Sequence, residues 1–199
     1  GANLVWLSAN STTKQVVATL ATEQKLAGQG DFDGDGKVDL AWRNTLTGAN
    51  TIWRSANANT QMILTAVADQ NWTIAGVGDF NGDGKADLFW RNKVTGSNEY
   101  WPGGNASAKK AVSAQLDMKL VLAGVGDFDG DGRSDLLWRH VQTGVNVIWP
   151  GALSPQVQPP WRVWTLPSNA VWRTGWKRWF CWSPAGKSKP VVRPQIRAG

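Results

Sequence analysis

GDFDGDGKVDLAWRN, residues 30–44, returns as GDFNGDGKADLFWRN at 78–92 and as GDFDGDGRSDLLWRH at 126–140, each copy 48 residues after the one before. The likeness runs beyond these stretches: Thr47-Gly48 recurs as Thr95-Gly96 and Thr143-Gly144, and Asn50 and Trp53 recur as Asn98 and Trp101 and then as Asn146 and Trp149. A period of this length defines a whole supersecondary unit used in tandem.

Aligned on its first aspartate, each copy reads D-x-[DN]-x-D-G-x-x-D. Oxygen-bearing side chains at alternate positions of a short loop can converge on one point, and hard oxygen donors at this density suit calcium. The first set is Asp31, Asp33, Asp35 and Asp39 with the Lys37 carbonyl. Asp79, Asn81, Asp83 and Asp87 with the Lys85 carbonyl form the second, and Asp127, Asp129, Asp131 and Asp135 with the Arg133 carbonyl the third. Magnesium prefers tighter sites that keep several waters, so the cofactor expected is Ca2+ at three sites. Asn81 leaves the second loop one negative charge short, which makes it the weakest expected site. Gly36, Gly84 and Gly132 follow the third ligand, where a sharp turn calls for a residue tolerant of positive φ. Eleven of the 15 acidic residues lie in these loops and would repel one another without a cation.

An EF-hand needs a glutamate at its twelfth loop position and helical flanks. Here the twelfth positions are Trp42, Trp90 and Trp138, and the flanks alternate as strands do. In the second repeat, turn residues separate four extended segments, Trp72–Val77, Ala86–Asn92, Asn98–Trp101 and Ala111–Leu116, with a turn over Pro102–Asn105. Four short strands in 48 residues, apolar on both faces as in Leu88-Phe89-Trp90, predict blades sandwiched between neighbours. The fold expected is all-β, a partial β-propeller of four-stranded blades over residues 1–151, forming an incomplete ring.

The G-D-F-[DN]-G-D-G-[KR]-x-D-L repeats, from Ala27 through Trp149, resemble the FG-GAP/VCBS-type repeat family. That resemblance implies a calcium loop joining two strands of each blade of a propeller that usually closes with about seven blades. It also implies relatives among integrin α-subunit heads, propeller lectins and non-catalytic modules of secreted hydrolases. Asn3 and Trp6 match the Asn50/Trp53 pair, so the chain is expected to begin within a blade and to be part of a longer array. Open blade faces then require missing blades or self-association to cover them.

Charge is split along the chain. Residues 1–135 carry 12 basic and 15 acidic side chains, while residues 136–199 carry 9 basic and none acidic. From residue 152 the repeat is lost, and 152–199 reads as a degenerate or disrupted fourth blade with a basic, tryptophan-rich tail. Six tryptophans between Trp161 and Trp182, interleaved with Arg162, Arg173, Lys177 and Arg178, have the composition of a membrane-surface or single-stranded nucleic-acid segment. Eroded strand sequence explains them more simply, so no nucleic-acid partner is expected. No 18-residue apolar run is present to span a membrane.

Cys181 is the single cysteine, which excludes an internal disulfide framework. Loops of this kind fill at the high calcium outside the cytosol, so the expected location is extracellular, cell-surface or periplasmic. Catalysis is not expected. His140 is the single histidine and stands where the other repeats have Asn44 and Asn92, while Asp69 and Asp117 sit 48 residues apart in equivalent positions. Binding is the better class. Tryptophan faces stack on sugar rings, and Trp53, Trp101 and Trp149, at the end of the third strand of each repeat, are the candidate contacts for a glycan; an extracellular protein is the other ligand class. Trp42, Trp90 and Trp138 are expected in the core. The reading is a lectin-like or adhesive module, the alternative a structural accessory domain of a secreted hydrolase.

Overall fold

The computed structural model describes residues 2–6, 12 and 14–151, all within the first of the chain's two units, Gly1–Ser168. The expectations for 152–199, including the tryptophan-rich tail and Cys181, lie outside the described residues. So do the side chains of Asn3 and Trp6.

Thirteen strands are described: β1 (Ala2–Trp6), β2 (Lys14–Thr19), β3 (Gln24–Gly30), β4 (Asp39–Asn44), β5 (Asn50–Trp53), β6 (Gln61–Leu64), β7 (Trp72–Gly78), β8 (Asp87–Asn92), β9 (Asn98–Trp101), β10 (Lys110–Val112), β11 (Leu120–Gly126), β12 (Asp135–His140) and β13 (Asn146–Trp149). They form antiparallel sheets in chain order, β1-β2, β3-β4-β5-β6, β7-β8-β9-β10 and β11-β12-β13, so every connection within a sheet is a hairpin and the described residues are all-β. The first strand of each repeat bulges one residue at the same place, at Ala27, Ala75 and Ala123. Each bulge lies just upstream of an aspartate loop and increases the local twist.

Both faces of β8 are buried because alternate side chains point into different interfaces. Leu88 and Trp90, with Trp101, meet Ala41 and Ile52 of the first four-stranded sheet and Phe32 of its aspartate loop. Phe89, with Phe80 and Tyr100, meets Leu136 and Trp138 of the sheet that follows. The sandwiching expected from Leu88-Phe89-Trp90 is therefore observed. Approach is tightest along the first strands, where a Cβ added at Gly78 would lie 2.6 Å from Ser134 Oγ and 2.7 Å from Val125 Cγ1.

Arginine stitches consecutive sheets together. Arg43 donates to the carbonyls of Gly48 (3.2 Å), Val67 (2.9 Å) and Trp72 (3.2 Å) and to Asn50 Oδ1 (3.1 Å), while its guanidinium carbon lies 5.1 Å from the Trp90 ring centroid. Arg91 repeats the arrangement on Gly96, Asn98 and Gln115, stacked 4.8 Å from Trp138. A planar cation with five donors can hold a turn, a linker and an aromatic face together.

The fourth strand of the second repeat is Lys110–Val112 instead of the expected Ala111–Leu116. Side chains take the carbonyls that would have continued it: Asn98 Nδ2 donates to Ser113 O at 2.7 Å and Arg91 Nη2 to Gln115 O at 3.1 Å. Gln115 N–H also donates to Gly96 O at 2.8 Å, so the linker leaves the sheet and docks on the Thr95-Gly96 turn. Pro102–Gly104, inside the turn expected over Pro102–Asn105, forms a short 3-10 turn, and Ala106–Ala108 forms another beyond it.

The docked linker gives a stability prediction. Gly96 has φ +73°, and an added Cβ would overlap Gln115 O; Gly144 has the same φ, and among the described residues its nearest neighbour would be Arg139 Nη2 at 3.6 Å. Gly96→Ala should cost about 2–4 kcal/mol, from left-handed strain plus backbone overlap, and Gly144→Ala only about 1 kcal/mol. Denaturant titration of the two variants checks the difference.

Candidate metal centres

Each aspartate loop joins the first and second strands of its sheet, and a ladder of backbone N–H groups shapes it. Asp31 Oδ1 accepts from Gly34 N–H at 2.6 Å and Asp35 N–H at 3.2 Å, and its Oδ2 from Gly36 N–H at 2.8 Å. Asp33 Oδ1 then accepts from Asp35 N–H at 3.1 Å, and Asp35 Oδ1 from Lys37 N–H at 2.8 Å. The second loop repeats this with Asp79 accepting from Gly82 (2.6 Å), Asp83 (3.2 Å) and Gly84 (2.7 Å), Asn81 from Asp83 (2.8 Å), and Asp83 from Lys85 (2.9 Å). In the third, Asp127 accepts from Gly130 (2.6 Å), Asp131 (3.2 Å) and Gly132 (3.0 Å), Asp129 from Asp131 (3.2 Å), and Asp131 from Arg133 (2.8 Å). Gly36, Gly84 and Gly132 have φ of +81°, +83° and +86°, as expected; Gly34, Gly82 and Gly130 also lie in the left-handed region.

The result is converging carboxylates. One oxygen from each of Asp31, Asp33 and Asp35 falls within 4.8 Å of the others, and so does one from each of Asp127, Asp129 and Asp135. In the second loop Asn81 holds the corresponding place and donates from Nδ2 to Asp83 Oδ2 at 2.9 Å. Basic side chains partly offset the first loop, with Lys37 Nζ 3.0 Å from Asp35 Oδ2 and Arg54 Nε 3.5 Å from Asp33 Oδ2. The Lys37 hydrogen bond also holds the Asp35 carboxyl below its ordinary range. This donor set, all oxygen and mostly anionic, fits a hard divalent cation of calcium's kind; Asp31, Asp33, Asp35, Asp79, Asn81, Asp83, Asp127, Asp129 and Asp131 would hold it, with the ninth-position Asp39, Asp87 and Asp135 beneath them and an Asp135 oxygen falling within the third group itself.

The ninth-position aspartates differ from the others in a way that local pattern does not reveal. Asp39, Asp87 and Asp135 are wholly buried, and each carboxylate bridges two backbone segments. Asp39 accepts from Phe32 N–H (2.9 Å) and Ser55 N–H (2.7 Å), Asp87 from Phe80 N–H (2.9 Å) and Gly103 N–H (2.9 Å), and Asp135 from Phe128 N–H (2.7 Å) and Gly151 N–H (2.6 Å). They staple the loop to the turn that ends the third strand. Burial pushes the Asp87 carboxyl up to about 6, against the lowering effect of the Gly103 and Phe80 donors and with a further push from Asp83 and Asp79. Asp135 is likewise raised, chiefly by burial. A carboxyl raised in the fold costs stability as pH climbs from its unfolded value through its folded one, and a bound cation opposes that cost.

The tryptophans assigned to a glycan need correcting. Trp53 and Trp101 are each only 3% exposed, and Trp149 is half-buried. Their rings pack on Trp42, Trp90 and Trp138, with centroids 5.1, 4.7 and 5.1 Å apart. Trp42, Trp90, Trp138, Trp53 and Trp101 are therefore core and Trp149 packs half-buried against it, because β5, β9 and β13 pair with the central strand and share its buried face. Trp101 also borders a groove of about 270 Å³ lined by Val67, Trp72, Trp90, Glu99 and Lys109 among others. Its Nε1 donates to Glu99 Oε1 at 2.9 Å, and Glu99 pairs with Lys109 at 3.2 Å.

His140 occupies a turn. Its Nδ1 accepts from Gln142 N–H (3.2 Å) and Thr143 N–H (3.1 Å), the bonds that Asn44 Oδ1 makes with Leu46 and Thr47, both at 2.9 Å. Asp69 and Asp117 cap equivalent turns by accepting from Asn71 (2.9 Å) and Lys119 (3.0 Å).

Residues 31–90 match the FG-GAP-like repeat family, a span that takes in the first two loops, β4 to β7 and most of β8. This region is thus assigned to an FG-GAP-type repeat. No curated protein and no solved structure matches the chain. Among the described residues, no helix is long and apolar enough to cross a membrane.

Proposed function

We propose that the protein is a non-catalytic, calcium-binding module of β-propeller blades that serves extracellular recognition of a carbohydrate or protein ligand. The observation that carries this reading is the threefold recurrence of one loop geometry, in which the same N–H ladder orients the acidic side chains. Plain Asp-Gly turns have no need to gather 11 of a chain's 15 acids into three such loops. Support for blades comes from the sheet stacking: first strands in near contact through glycine, later strands held apart by tryptophan and phenylalanine rings, a wedge suited to radial packing. Support for a non-catalytic role comes from His140, Asp69 and Asp117, whose side chains are engaged in turns.

Ligand contact is best sought in the groove at Trp72, Glu99 and Lys109, where aromatic surface and opposite charges meet. Burial of Trp53 and Trp101 removes them as rim platforms, and this favours the second reading, a structural accessory domain. Glycan-array binding that chelator abolishes would support recognition, whereas a hydrolase domain encoded in the same gene would support the accessory role.

Calorimetric calcium titration after chelator treatment tests the core of the proposal. Three ions should bind. Loops with dissociation constants of about 0.1 mM in 1 mM calcium would each add about 1.4 kcal/mol, raising the melting temperature on the order of 10 °C in total. Absence of uptake by folded protein would reduce the loops to turns.

A further inference from the structure

The aspartate loops of neighbouring repeats are joined by backbone hydrogen bonds that pass through the metal-ligating segments themselves. Ala86 N–H donates to Asp31 O at 2.7 Å, and Ser134 N–H donates to Asp79 O at 2.6 Å. Each donor belongs to the peptide group whose carbonyl, Lys85 or Arg133, is the expected ligand of its own loop. Each acceptor belongs to the first ligand of the preceding loop. From there the path continues through one more peptide group: Phe32 N–H donates to Asp39 Oδ2 at 2.9 Å, and Phe80 N–H to Asp87 Oδ2 at 2.9 Å. Side chains follow the same route, since Lys85 Cε lies 3.2 Å from where a Cβ at Gly34 would be, and Arg133 Cγ 3.3 Å from the same point at Gly82. Among the described residues nothing lies within 4 Å of that point at Gly130 in the third loop.

We propose that calcium fills these loops cooperatively, each ion tightening the site of the preceding repeat through the Ala86–Asp31 and Ser134–Asp79 hydrogen bonds. The inference rests on the calcium reading of the loops. A cation on the Lys85 carbonyl draws electron density from that amide and makes Ala86 N–H the stronger donor, and hydrogen bonds in chains reinforce one another. Fixing residues 85–87 also orders Asp31 and Phe32, so the ion entering the first loop has less chain left to immobilise. Repulsion between the ions acts through solvent at the exposed loops and is screened by salt. Coupling between sites is reciprocal, so the middle loop supports both neighbours.

The experiment compares calorimetric calcium titrations of the wild type with those of two surface variants, one with Asn81→Ala and Asp83→Ala, the other with Asp33→Ala and Asp35→Ala. Circular dichroism confirms that each is folded. Disabling the middle loop should leave two ions, both bound roughly fivefold or more weakly than in the wild type. Disabling the first should weaken the middle loop and leave the third nearly unchanged. Ala86→Pro, which removes the donor and keeps every ligand side chain, should weaken the first and second loops together and leave the third nearly unchanged. If the remaining ions bind with wild-type affinity in both loop variants, the coupling is overturned while the calcium reading stands. If folded wild type takes up no calcium, both fall.

Discussion

Asp87→Ala should lower the melting temperature by about 10 °C or more even in chelator, while Asp83→Ala in the same loop leaves the chelated protein nearly unchanged. Both residues belong to the aspartate motif, but the fold treats them differently. Asp83 sits at the surface, where its loss removes hydrogen bonds that water can replace. Asp87 is wholly buried, and its two oxygens satisfy Phe80 N–H and Gly103 N–H, both at 2.9 Å. Alanine would leave the buried Phe80 donor and the part-buried Gly103 donor without their partner at about 1–3 kcal/mol each, and a protein of this size loses about 2–4 °C per kcal/mol. Asp87→Asn, which keeps one acceptor oxygen and turns an amide donor toward the other N–H, should fall between. Thermal melts in chelator and in calcium separate the two roles. Equal losses for Asp83→Ala and Asp87→Ala confined to the calcium condition would mean that Asp87 acts through the metal alone.

Trp90→Ala should be the most damaging core substitution, costing about 4–6 kcal/mol and leaving little folded protein at physiological temperature. The ring is fully buried between two sheets, 4.7 Å from Trp101, and it carries the Arg43 guanidinium at 5.1 Å. Its removal would open a cavity at the interface that joins the first and second four-stranded sheets and would leave a buried arginine without its aromatic face. Trp90→Phe should cost far less, because the indole Nε1–H has no hydrogen-bond partner to lose. Equilibrium urea unfolding measures both. A Trp90→Ala protein of near wild-type stability would show that these sheets are not held together through this ring.

The strands and loops were legible because their signals are local. The short apolar run Leu88-Phe89-Trp90, a turn at Thr95-Gly96 and the length of Asn98–Trp101 placed β8 and β9 to within one residue. The fourth strand was misplaced because Ala111–Leu116 has strand-like composition, yet its later carbonyls are claimed by Asn98 and Arg91 from elsewhere in the repeat. The glycan assignment of Trp53 and Trp101 went astray for a related reason: a tryptophan at a strand end looks the same in sequence whether its face meets solvent or another tryptophan. One signal could have warned of this, since the Trp53 series recurs in phase with the Trp42 series and so shares a register.

What the sequence by itself determined is whatever depends on neighbours along the chain: the 48-residue unit, the hairpin order, the glycines of the loops and the aspartates at alternate positions. Backbone sterics and side-chain reach act over a few residues, so these features are written directly in the order of amino acids. Only the tertiary structure decided which aspartates are buried staples, which tryptophans are core, where the arginines reach, and that Ala86 meets Asp31 across a repeat boundary. Those contacts join residues on different strands and loops, some within one repeat and some across to the next, and burial and pairing there are set by how the strands pair and how one sheet stacks on the next.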